Sequence, residues 1–346
     1  MRIALVTPHT VPFSCGNSHL AERLRQGLVS RGHELLLFGI DAATVDSAVD
    51  FRPDIVHSLH AIKPARWLEE LFSRISVPWV ITLTGTDYNS PQEYGAEYEM
   101  LARQFNGARA IVVFHEEARS WVAEHFVEAA DKLVVIAQGI DIRDKKADRS
   151  AVRRLYGVAD GDMLFLMAAG LRPVKNICFA LDFFCAVRRR CPCARLLLAG
   201  PVIDEAEALR ISEKGRAVEG FTYIGEIAHQ AVRDLMAAAD VFLNVSLHEG
   251  MAGAMLEAMA EGLPVLASDT PGNRALVQPG RTGLLASLAS RDSFIEAAGL
   301  LAADAGYRRA LSAAARQSAA AFSELQEIDK YEKVYRSIAF SPCEHR

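Results

Sequence analysis

Short apolar runs alternate with Ala-, Leu- and Arg-rich helical patterns along most of the chain, and this alternation limits the possible folds more than any other feature. The first series of apolar runs is RIALVT (2–7), ELLLFG (34–39), DIVHSL (54–59), WVITLTG (79–85), ARAIVVF (108–114) and KLVVIA (132–137). Near-continuous apolar runs are typical of parallel strands that are buried on both faces, and the helical patterns between them indicate βαβ units. We therefore predict an α/β protein built on parallel sheets.

The alternation stops at GIDIRDKKADRS (139–150), which is polar and charged, and then starts again. The second series is DMLFLMAAG (162–170), ARLLLAG (194–200), FTYIGE (221–226), DVFLNVS (240–246) and LPVLAS (263–268). Two series predict two domains, residues 1–145 and 146–325, followed by a helical tail at 326–346 that is a candidate to pack back on the first domain. Because ligands of open α/β sheets bind beyond the carboxyl ends of the strands, we expect the two domains to face a cleft.

Composition narrows the class of protein. A chain of 346 residues with 51% hydrophobic and 23% charged residues is globular and long enough for two domains. The net charge of −5 argues against a general nucleic-acid binder. The six cysteines show no CxxC spacing, and CPC (191–193) is too short for a zinc knuckle, so we expect free thiols in a reducing compartment. No segment is typical of a signal peptide or an integral membrane span, which predicts a cytoplasmic location.

Two glutamates with seven residues between them mark the first chemical site. Glu249 lies in a Gly-containing loop, and Glu257 lies in an apolar pattern that predicts a helix. The backbone N–H groups of Gly250, Met251 and Ala252, together with the positive end of that helix, suit a phosphate or diphosphate. Either glutamate taken alone is also consistent with a solvated surface position.

A second loop adds positive charge. GLRPVKN (170–176) ends a predicted strand and places Arg172 and Lys175 at the next helix start, where they are expected to hold and stabilise a nucleotide diphosphate. The chain has no GxGxxG after its first strand and no GxxxxGK[ST] anywhere, so a dinucleotide dehydrogenase and a P-loop NTPase lose their main support. DGD (160–162) precedes a predicted strand and is expected to be a turn, so we infer no metal.

These segments resemble a known family. GLRPVKN, AGP (199–201), YIGEI (223–227), the stretch 237–273 and GRTGLL (280–285) are similar to the donor-binding domain of the retaining glycosyltransferases of family 4. The first half resembles the family more weakly, through RGHE (31–34) and QGID (138–141), and bacterial selenosugar synthases share LTGTD- and LRPVK-like segments. The resemblance implies the GT-B fold, which is two Rossmann-like parallel-sheet domains facing a cleft.

The resemblance also implies an activity. The expected enzyme is a retaining, metal-independent transferase of the hexosyltransferase type, which moves a sugar from a nucleotide-sugar donor, most commonly UDP-linked, to an unidentified acceptor. Such enzymes are thought to use same-face attack, with the leaving diphosphate helping to take the acceptor's proton, and they need no separate cofactor. The lack of a polybasic or amphipathic membrane patch favours a small-molecule or saccharide acceptor over a lipid.

The family pattern assigns roles to individual residues. Glu249 would contact the hydroxyls of the donor sugar, Glu257 would bind the ribose, and Arg172 and Lys175 would neutralise the diphosphate. The N–H groups of Gly250, Met251 and Ala252 would contact the diphosphate or the sugar, and Gly16 and Asn17 match the Gly-rich loop near the donor phosphate and the acceptor. The catalytic candidates are therefore Glu249, Lys175 and Arg172.

Two departures from the family concern the sugar contacts. Many members carry a His after the fourth strand, where this chain has Thr84, and Asp87 is a candidate either for a polar role there or for a structural turn. The usual arginine position of the family's GRL segment is Gly170 here, so Arg172 would replace that charge only in part. Two alternatives stay open: a nucleotide-sugar epimerase of the same fold, and a catalytically degenerate binding protein.

Overall fold

The computed structural model describes residues 1–9, 16–88, 94–142 and 147–339. The chain forms two compact units. The first consists of Met1–Gly139 together with Phe322–Arg346, and the second is the continuous stretch Ile140–Ala321. The chain therefore leaves the first unit once and returns to it once.

A parallel sheet forms the centre of the first unit. Its strands are β1 (Arg2–Thr7), β2 (Glu34–Gly39), β3 (Ile55–Leu59), β4 (Trp79–Thr82), β5 (Ala110–Val113) and β6 (Leu133–Val135), in the order β2-β1-β3-β4-β5-β6. The helices that follow these strands are α1 (Gly16–Val29), α2 (Val45–Phe51), α3 (Ala65–Phe72), α4 (Tyr94–Gly107) and α5 (Glu116–His125), and a 3₁₀ helix spans Val127–Lys132. All six apolar runs of the first series form strands.

The second unit repeats the architecture. Its strands are β7 (Met163–Ala168), β8 (Ala194–Ala199), β9 (Phe221–Tyr223), β10 (Val241–Asn244), β11 (Val265–Ser268) and β12 (Gly283–Ala286), in the order β12-β11-β10-β7-β8-β9. Its helices are α6 (Arg149–Leu155), α7 (Ile177–Arg190), α8 (Glu205–Gly215), α9 (His229–Ala238), α10 (Gly253–Ala260), α11 (Pro271–Arg274), α12 (Arg291–Ala303) and α13 (Ala305–Ala319), with a 3₁₀ turn at Pro173–Lys175. The predicted α/β class is confirmed.

Several strands end before the carboxyl ends of the apolar runs that predicted them. WVITLTG leaves the sheet after Thr82, and DMLFLMAAG leaves it after Ala168, so the remaining residues of each run form loops at the ligand-binding edge. The edge strand β12 was not predicted, because GLLA is short and begins with glycine. It pairs with β11 in parallel, with Val265 opposite Gly283.

The last described helix, α14 (Glu324–Ala339), belongs to the first unit and packs on α1. Glu327 accepts hydrogen bonds from the Arg23 guanidinium, with Nε to Oε2 at 2.6 Å. Beneath them, the fully buried His57 forms hydrogen bonds through Nδ1 to Tyr335 Oη (2.7 Å) and through Nε2 to Thr82 Oγ1 (2.8 Å). This buried polar network joins α14 to strands β3 and β4.

Gly139, the last residue before the chain leaves the first unit, lies directly against the start of α14. A Cβ atom at this position would be 2.6 Å from Glu324 Cα and 2.9 Å from Glu327 Oε2. Such distances are far below van der Waals contact, so the backbones of the two connecting segments approach each other only because residue 139 has no side chain.

Candidate functional site

The loops that follow β7 and β10 meet because these strands are neighbours in the second sheet. The two strands pair in parallel, with Val241 opposite Phe165, so both loops leave from the same edge. The Leu247 N–H donates to the Val174 carbonyl oxygen at 2.9 Å, which ties the loop after β10 to the 3₁₀ turn after β7. The candidate residues of the two loops are thereby brought together.

Lys175 and Glu249 form an ion pair at this junction. Lys175 Nζ lies 2.7 Å from Glu249 Oε1, and the two side chains are only 17% and 10% exposed. Asn244 Nδ2 donates to the same carboxylate oxygen at 3.3 Å. Burial raises the pKa of the Glu249 carboxyl, but the Lys175 ammonium, hydrogen bonds from Lys175 and Ser246, and the charge of Arg172 outweigh it. The net pKa lies below its ordinary value, so Glu249 is a fixed anion.

Arg172 provides a positive charge that the ion pair does not use. Its Nε atom is buried and makes no hydrogen bond with any described part of the chain. A buried N–H group without a partner is unfavourable unless a ligand or water satisfies it. A Cβ atom at Gly170 would be 2.4 Å from Ile203 Cδ1, so a side chain there would require Ile203 to move. The cation is therefore placed two residues further along the chain.

Gly250, Met251 and Ala252 connect Glu249 to α10. Met251 and Ala252 are buried, and Ala252 is the capping residue of the helix but offers no side-chain hydrogen bond to it. The Met255 and Leu256 N–H groups both donate to the Ala252 carbonyl oxygen at 3.0 Å, which closes the first turn. The positive end of the helix favours an anion, and binding of a diphosphate by the N–H groups of Gly250, Met251 and Ala252 stays a prediction.

Glu257 is paired with a histidine that the sequence analysis did not single out. His229 Nε2 lies 2.8 Å from Glu257 Oε1, and the two side chains are 46% and 20% exposed. Glu257 lies four residues into α10, and His229 begins α9, the helix that packs beside it. A lone histidine at a helix start has no distinctive sequence pattern, so only the packing of the two helices identifies the pair.

The loop after β11 supports the Glu249 loop from the other side. Gly272 in α11 lies very close to the Glu249 loop. A Cβ atom on residue 272 would lie 2.5 Å from the Glu249 carbonyl oxygen and 2.9 Å from the Glu249 Cβ atom. The neighbouring Asn273 Nδ2 donates to the Ser268 carbonyl oxygen at 2.9 Å, and Ser268 Oγ donates to the Ser246 carbonyl oxygen at 2.6 Å. The position of Glu249 thus depends on three adjacent loops.

We expect Gly272→Ala to lower turnover about 10-fold or more, because a displacement of about 1 Å can cost that much when it moves a catalytic group. The added methyl group would push against backbone atoms of residue 249, which have no flexible end to give way. Steady-state kinetics measure the effect. Gly299→Ala is the matched control: Gly299 lies inside α12, its Cβ would come no closer than 4.0 Å to another atom, and activity should be unchanged. Equal activity of the two variants would contradict the proposed support.

The first unit holds the remaining candidates at its own sheet edge. Gly16 and Asn17 form the start of α1, where Gly16 is exposed and Asn17 is half-buried. Thr84 lies just after β4 and is also half-buried. Residues 10–15, which precede Gly16, lie outside the described part of the chain.

Asp87 organises the loop that contains Thr84. Its carboxylate is buried and accepts hydrogen bonds from the backbone N–H groups of Thr84 (3.1 Å), Gly85 (2.8 Å) and Ala61 (3.3 Å). Multiple backbone bonds to one aspartate are typical of a structural turn. This geometry favours the structural alternative for Asp87, which holds Thr84 in place.

His60, after β3, contacts the same loop as Thr84. Its backbone has a φ of 107°, its Nδ1 accepts hydrogen bonds from the N–H groups of Ile62 and Lys63, and its Nε2 lies 3.2 Å from Thr86 Oγ1. A positive φ is strained for histidine, and such strain is concentrated at functional sites and ligand-binding loops. These contacts leave Nδ1 of His60 as an acceptor.

Within 1–9, 16–88, 94–142 and 147–339, no group of three or more His, Cys, Asp and Glu side chains is arranged to hold a metal ion. No helix in those ranges combines the length and the apolar character that a bilayer span requires.

Comparisons with known proteins match both units. Residues 162–304 match the family model described as "Glycosyl transferases group 1", and residues 35–115 match "Glycosyl transferase 4-like". "Glycosyltransferase 1 domain-containing protein 1" of Xenopus tropicalis is 29% identical over 297 residues, which are 82% of each chain. "D-inositol 3-phosphate glycosyltransferase" of Geodermatophilus obscurus is 30% identical over 234 residues, 65% of this chain and 51% of the relative.

Solved structures match over nearly the whole chain. A sucrose-phosphate synthase from Thermosynechococcus elongatus has a TM-score of 0.84 at 18% identity, covering 97% of this chain and 98% of that one. HepE of Anabaena, solved in complex with UDP and glucose, has a TM-score of 0.82 at 18% identity, covering 97% and 100%. At this identity the likeness establishes the fold.

Proposed function

Since residues 162–304 match a group 1 glycosyltransferase model, residues 35–115 match a glycosyltransferase 4-like model and the fold is GT-B, we propose that this chain is a retaining transferase that uses a UDP-linked sugar. The observation that carries the proposal is the buried Lys175–Glu249 pair beside an Arg172 Nε that has no partner in the described residues. The UDP complex of the Anabaena protein, which shares the fold, supports the choice of nucleotide. The acceptor we propose is a small molecule or a saccharide.

The charges fit an anionic diphosphate. Glu249 offsets much of the charge of Lys175, so Arg172 provides the larger share of the positive charge for a ligand. A diphosphate bound against Arg172 would satisfy the buried Nε–H and meet the N–H groups between Gly250 and Ala252. Lys175 then lies between the diphosphate and Glu249 and keeps the carboxylate oriented toward the sugar. The cationic side chains take the part that a divalent metal has in other transferases.

The proposed reaction exchanges one bond for another on the same face of the sugar. The bond between the anomeric carbon and the diphosphate oxygen breaks, and its electron pair passes to that oxygen, which Arg172 and Lys175 stabilise. The acceptor hydroxyl oxygen bonds to the anomeric carbon, and its proton passes to the leaving phosphate. Glu249 is a weak base, because its pKa lies below the ordinary value. We therefore assign it to binding sugar hydroxyls and not to general-base catalysis.

We propose that Glu257 binds the ribose, at the nucleoside end of the donor. A carboxylate accepts hydrogen bonds from vicinal hydroxyl groups, and Glu257 lies one turn beyond the N–H groups proposed to meet the diphosphate. His229 holds Oε1 of this carboxylate at 2.8 Å and so limits its rotation. We infer that His229 positions Glu257 for a ribose.

Nucleotide binding tests the proposal. We expect UDP or a UDP-sugar to raise the thermal unfolding temperature in a concentration-dependent way, with GDP- and ADP-sugars as the comparison, because a ligand that binds the folded state stabilises it. Glu257→Gln should weaken nucleotide affinity about 10-fold, whereas Glu296→Gln, an exposed carboxylate in α12, should not. Turnover should persist in a metal chelator. If no nucleotide or nucleotide-sugar raises the unfolding temperature, the transferase proposal is overturned.

A further inference from the structure

The carboxyl end of α7 carries two thiols in contact. Cys191 ends the helix and is half-buried, Cys193 is exposed, and their Sγ atoms lie 3.4 Å apart. Cys178 and Cys185, on the same helix, are half-buried and pack against the core. Cys191 and Cys193 have no role in the proposed donor site, and Cys193 lies at the surface.

The geometry permits a bond between the two sulfurs. A disulfide needs an S–S distance of about 2.05 Å and Cα atoms within about 7 Å, and two residues of separation cannot exceed that span. The backbone around the pair is anchored, since Ala194 N–H donates to the Cys191 carbonyl oxygen (2.9 Å) and Met163 N–H donates to the Cys193 carbonyl oxygen (3.0 Å). Closure therefore requires rotation of the side chains, with the backbone held.

The surroundings favour an anionic reagent. Arg189 and Arg190 are exposed directly before Cys191, and Arg195 follows Cys193 with its side chain 44% exposed. Positive charge near a thiol stabilises the thiolate and attracts negatively charged partners. A small disulfide bearing carboxylates, such as glutathione disulfide, has this chemistry.

We propose that Cys191 and Cys193 form a reversible intramolecular disulfide by thiol–disulfide exchange with a small anionic disulfide. The Cys193 thiolate attacks one sulfur of the reagent, forms a mixed disulfide and releases the first small thiolate. The Cys191 thiolate then attacks Cys193 Sγ and releases the second. The two protons of the protein thiols pass to the two released thiols, so two protein thiols are oxidised and one reagent disulfide is reduced.

The order of attack follows from the environments of the two thiols. Burial and the hydrogen bond with Cys193 raise the pKa of the Cys191 thiol, which makes it the poorer first nucleophile. Once Cys193 carries the mixed disulfide, proximity compensates for the small thiolate fraction of Cys191. Since α7 has 14 residues, the pair lies about 20 Å along the helix from the Lys175 turn. The inference therefore does not rest on the proposed transferase activity.

Mass spectrometry of the full chain tests the proposal. The reduced protein is incubated with glutathione disulfide, the free thiols are blocked, and trypsin releases residues 191–195, because Arg190 and Arg195 flank the pair. We expect this peptide to carry no blocking group and to be about 2 Da lighter than the unblocked dithiol peptide, which is the mass of two hydrogens. Dithiothreitol should restore the two thiols, and Cys178 and Cys185 should remain unmodified.

Single substitutions separate the formation of the mixed disulfide from the closure of the intramolecular disulfide. Cys191→Ser should accumulate glutathione on Cys193, because the second attack is lost, and Cys193→Ser should leave Cys191 largely unmodified. Both cysteines remaining reduced, or stable glutathione on Cys193 in the unsubstituted protein, would overturn the proposal.

Discussion

Glu249→Gln should lower kcat/KM for sugar transfer by about 10²- to 10³-fold, the range seen when one preorganised polar group is removed from an active site. The substitution keeps the shape of the side chain but removes the negative charge. Lys175, only 17% exposed, would lose its partner. The amide would bind sugar hydroxyls more weakly and would no longer hold the ammonium in place, so both the sugar and the diphosphate contacts suffer.

A double-mutant cycle identifies the pair as the cause. Because Lys175 and Glu249 act as one unit, Lys175→Gln combined with Glu249→Gln should lose little more activity than either variant alone. Glu296→Gln, which removes the same charge from an exposed position in the second unit, is the control and should retain full turnover. Circular dichroism checks that each variant is folded. If the fold-losses of activity of the two single variants multiply in the double variant, the two residues do not act as a unit. Near-normal turnover of Glu249→Gln would likewise contradict a role of the pair in the mechanism.

The second large effect concerns acid stability and His57. Burial lowers the pKa of this imidazole from 6.5 to about 3. Below pH 6.5 the unfolded chain takes up a proton at this residue and the folded chain does not, so the free energy of unfolding falls as the pH falls. At a limiting slope of about 1.4 kcal/mol per pH unit, the loss is about 2 kcal/mol between pH 6.5 and 4.5 and about 4 kcal/mol by pH 3.

Denaturant unfolding of the full chain at several pH values measures how the free energy of unfolding of the first unit depends on pH. His57→Gln keeps hydrogen-bonding groups that can reach Tyr335 and Thr82 but does not titrate, so we expect a flatter pH dependence between 6.5 and 4.5. His125→Gln, at an exposed site in α5, should leave the slope unchanged. A slope that survives in His57→Gln would show that another group causes it.

Glu332 acts in a lower pH range, which keeps the two effects separate. Hydrogen bonds from Arg336 and Arg31, with a further one from His33, lower the pKa of this carboxyl to about 2. Its contribution to stability is complete above its ordinary pKa of 4.5 and is lost as the pH falls from 4.5 toward 2. The interval from pH 6.5 to 4.5 therefore separates the effect of His57 from that of Glu332.

The sequence predicted the sheet edges well, because buried parallel strands need apolar runs and their loops carry the polar residues. Lys175 and Glu249 could be placed at one edge for this reason. Their direct ion pair could not be predicted, since it depends on β7 and β10 being neighbours and on the hydrogen bond from Leu247 to Val174. Strand order is a long-range property that the local pattern of residues does not contain.

Other parts of the site depend on tertiary contacts that leave little trace in sequence. His229 was missed because its relation to Glu257 exists only where α9 packs against α10. The sequence leaves two alternatives for Asp87, a polar role near the sugar and a structural turn. The three backbone N–H groups that donate to its carboxylate favour the turn. Gly272 looks like an ordinary turn residue, and only the approach of residue 249 shows why a side chain is not accommodated there.

The contact between Gly139 and Glu324 has a consequence for biosynthesis. The second unit is an uninterrupted stretch of chain, and the segments that enter and leave it meet at this contact. During translation the second unit is therefore complete before the first, whose buried Tyr331 and Tyr335 are made only after the whole of the second unit. Until they arrive, the sheet around His57 lacks its polar partners and exposes apolar surface. The nascent chain is most open to chaperones, and to aggregation, on its earliest-made part.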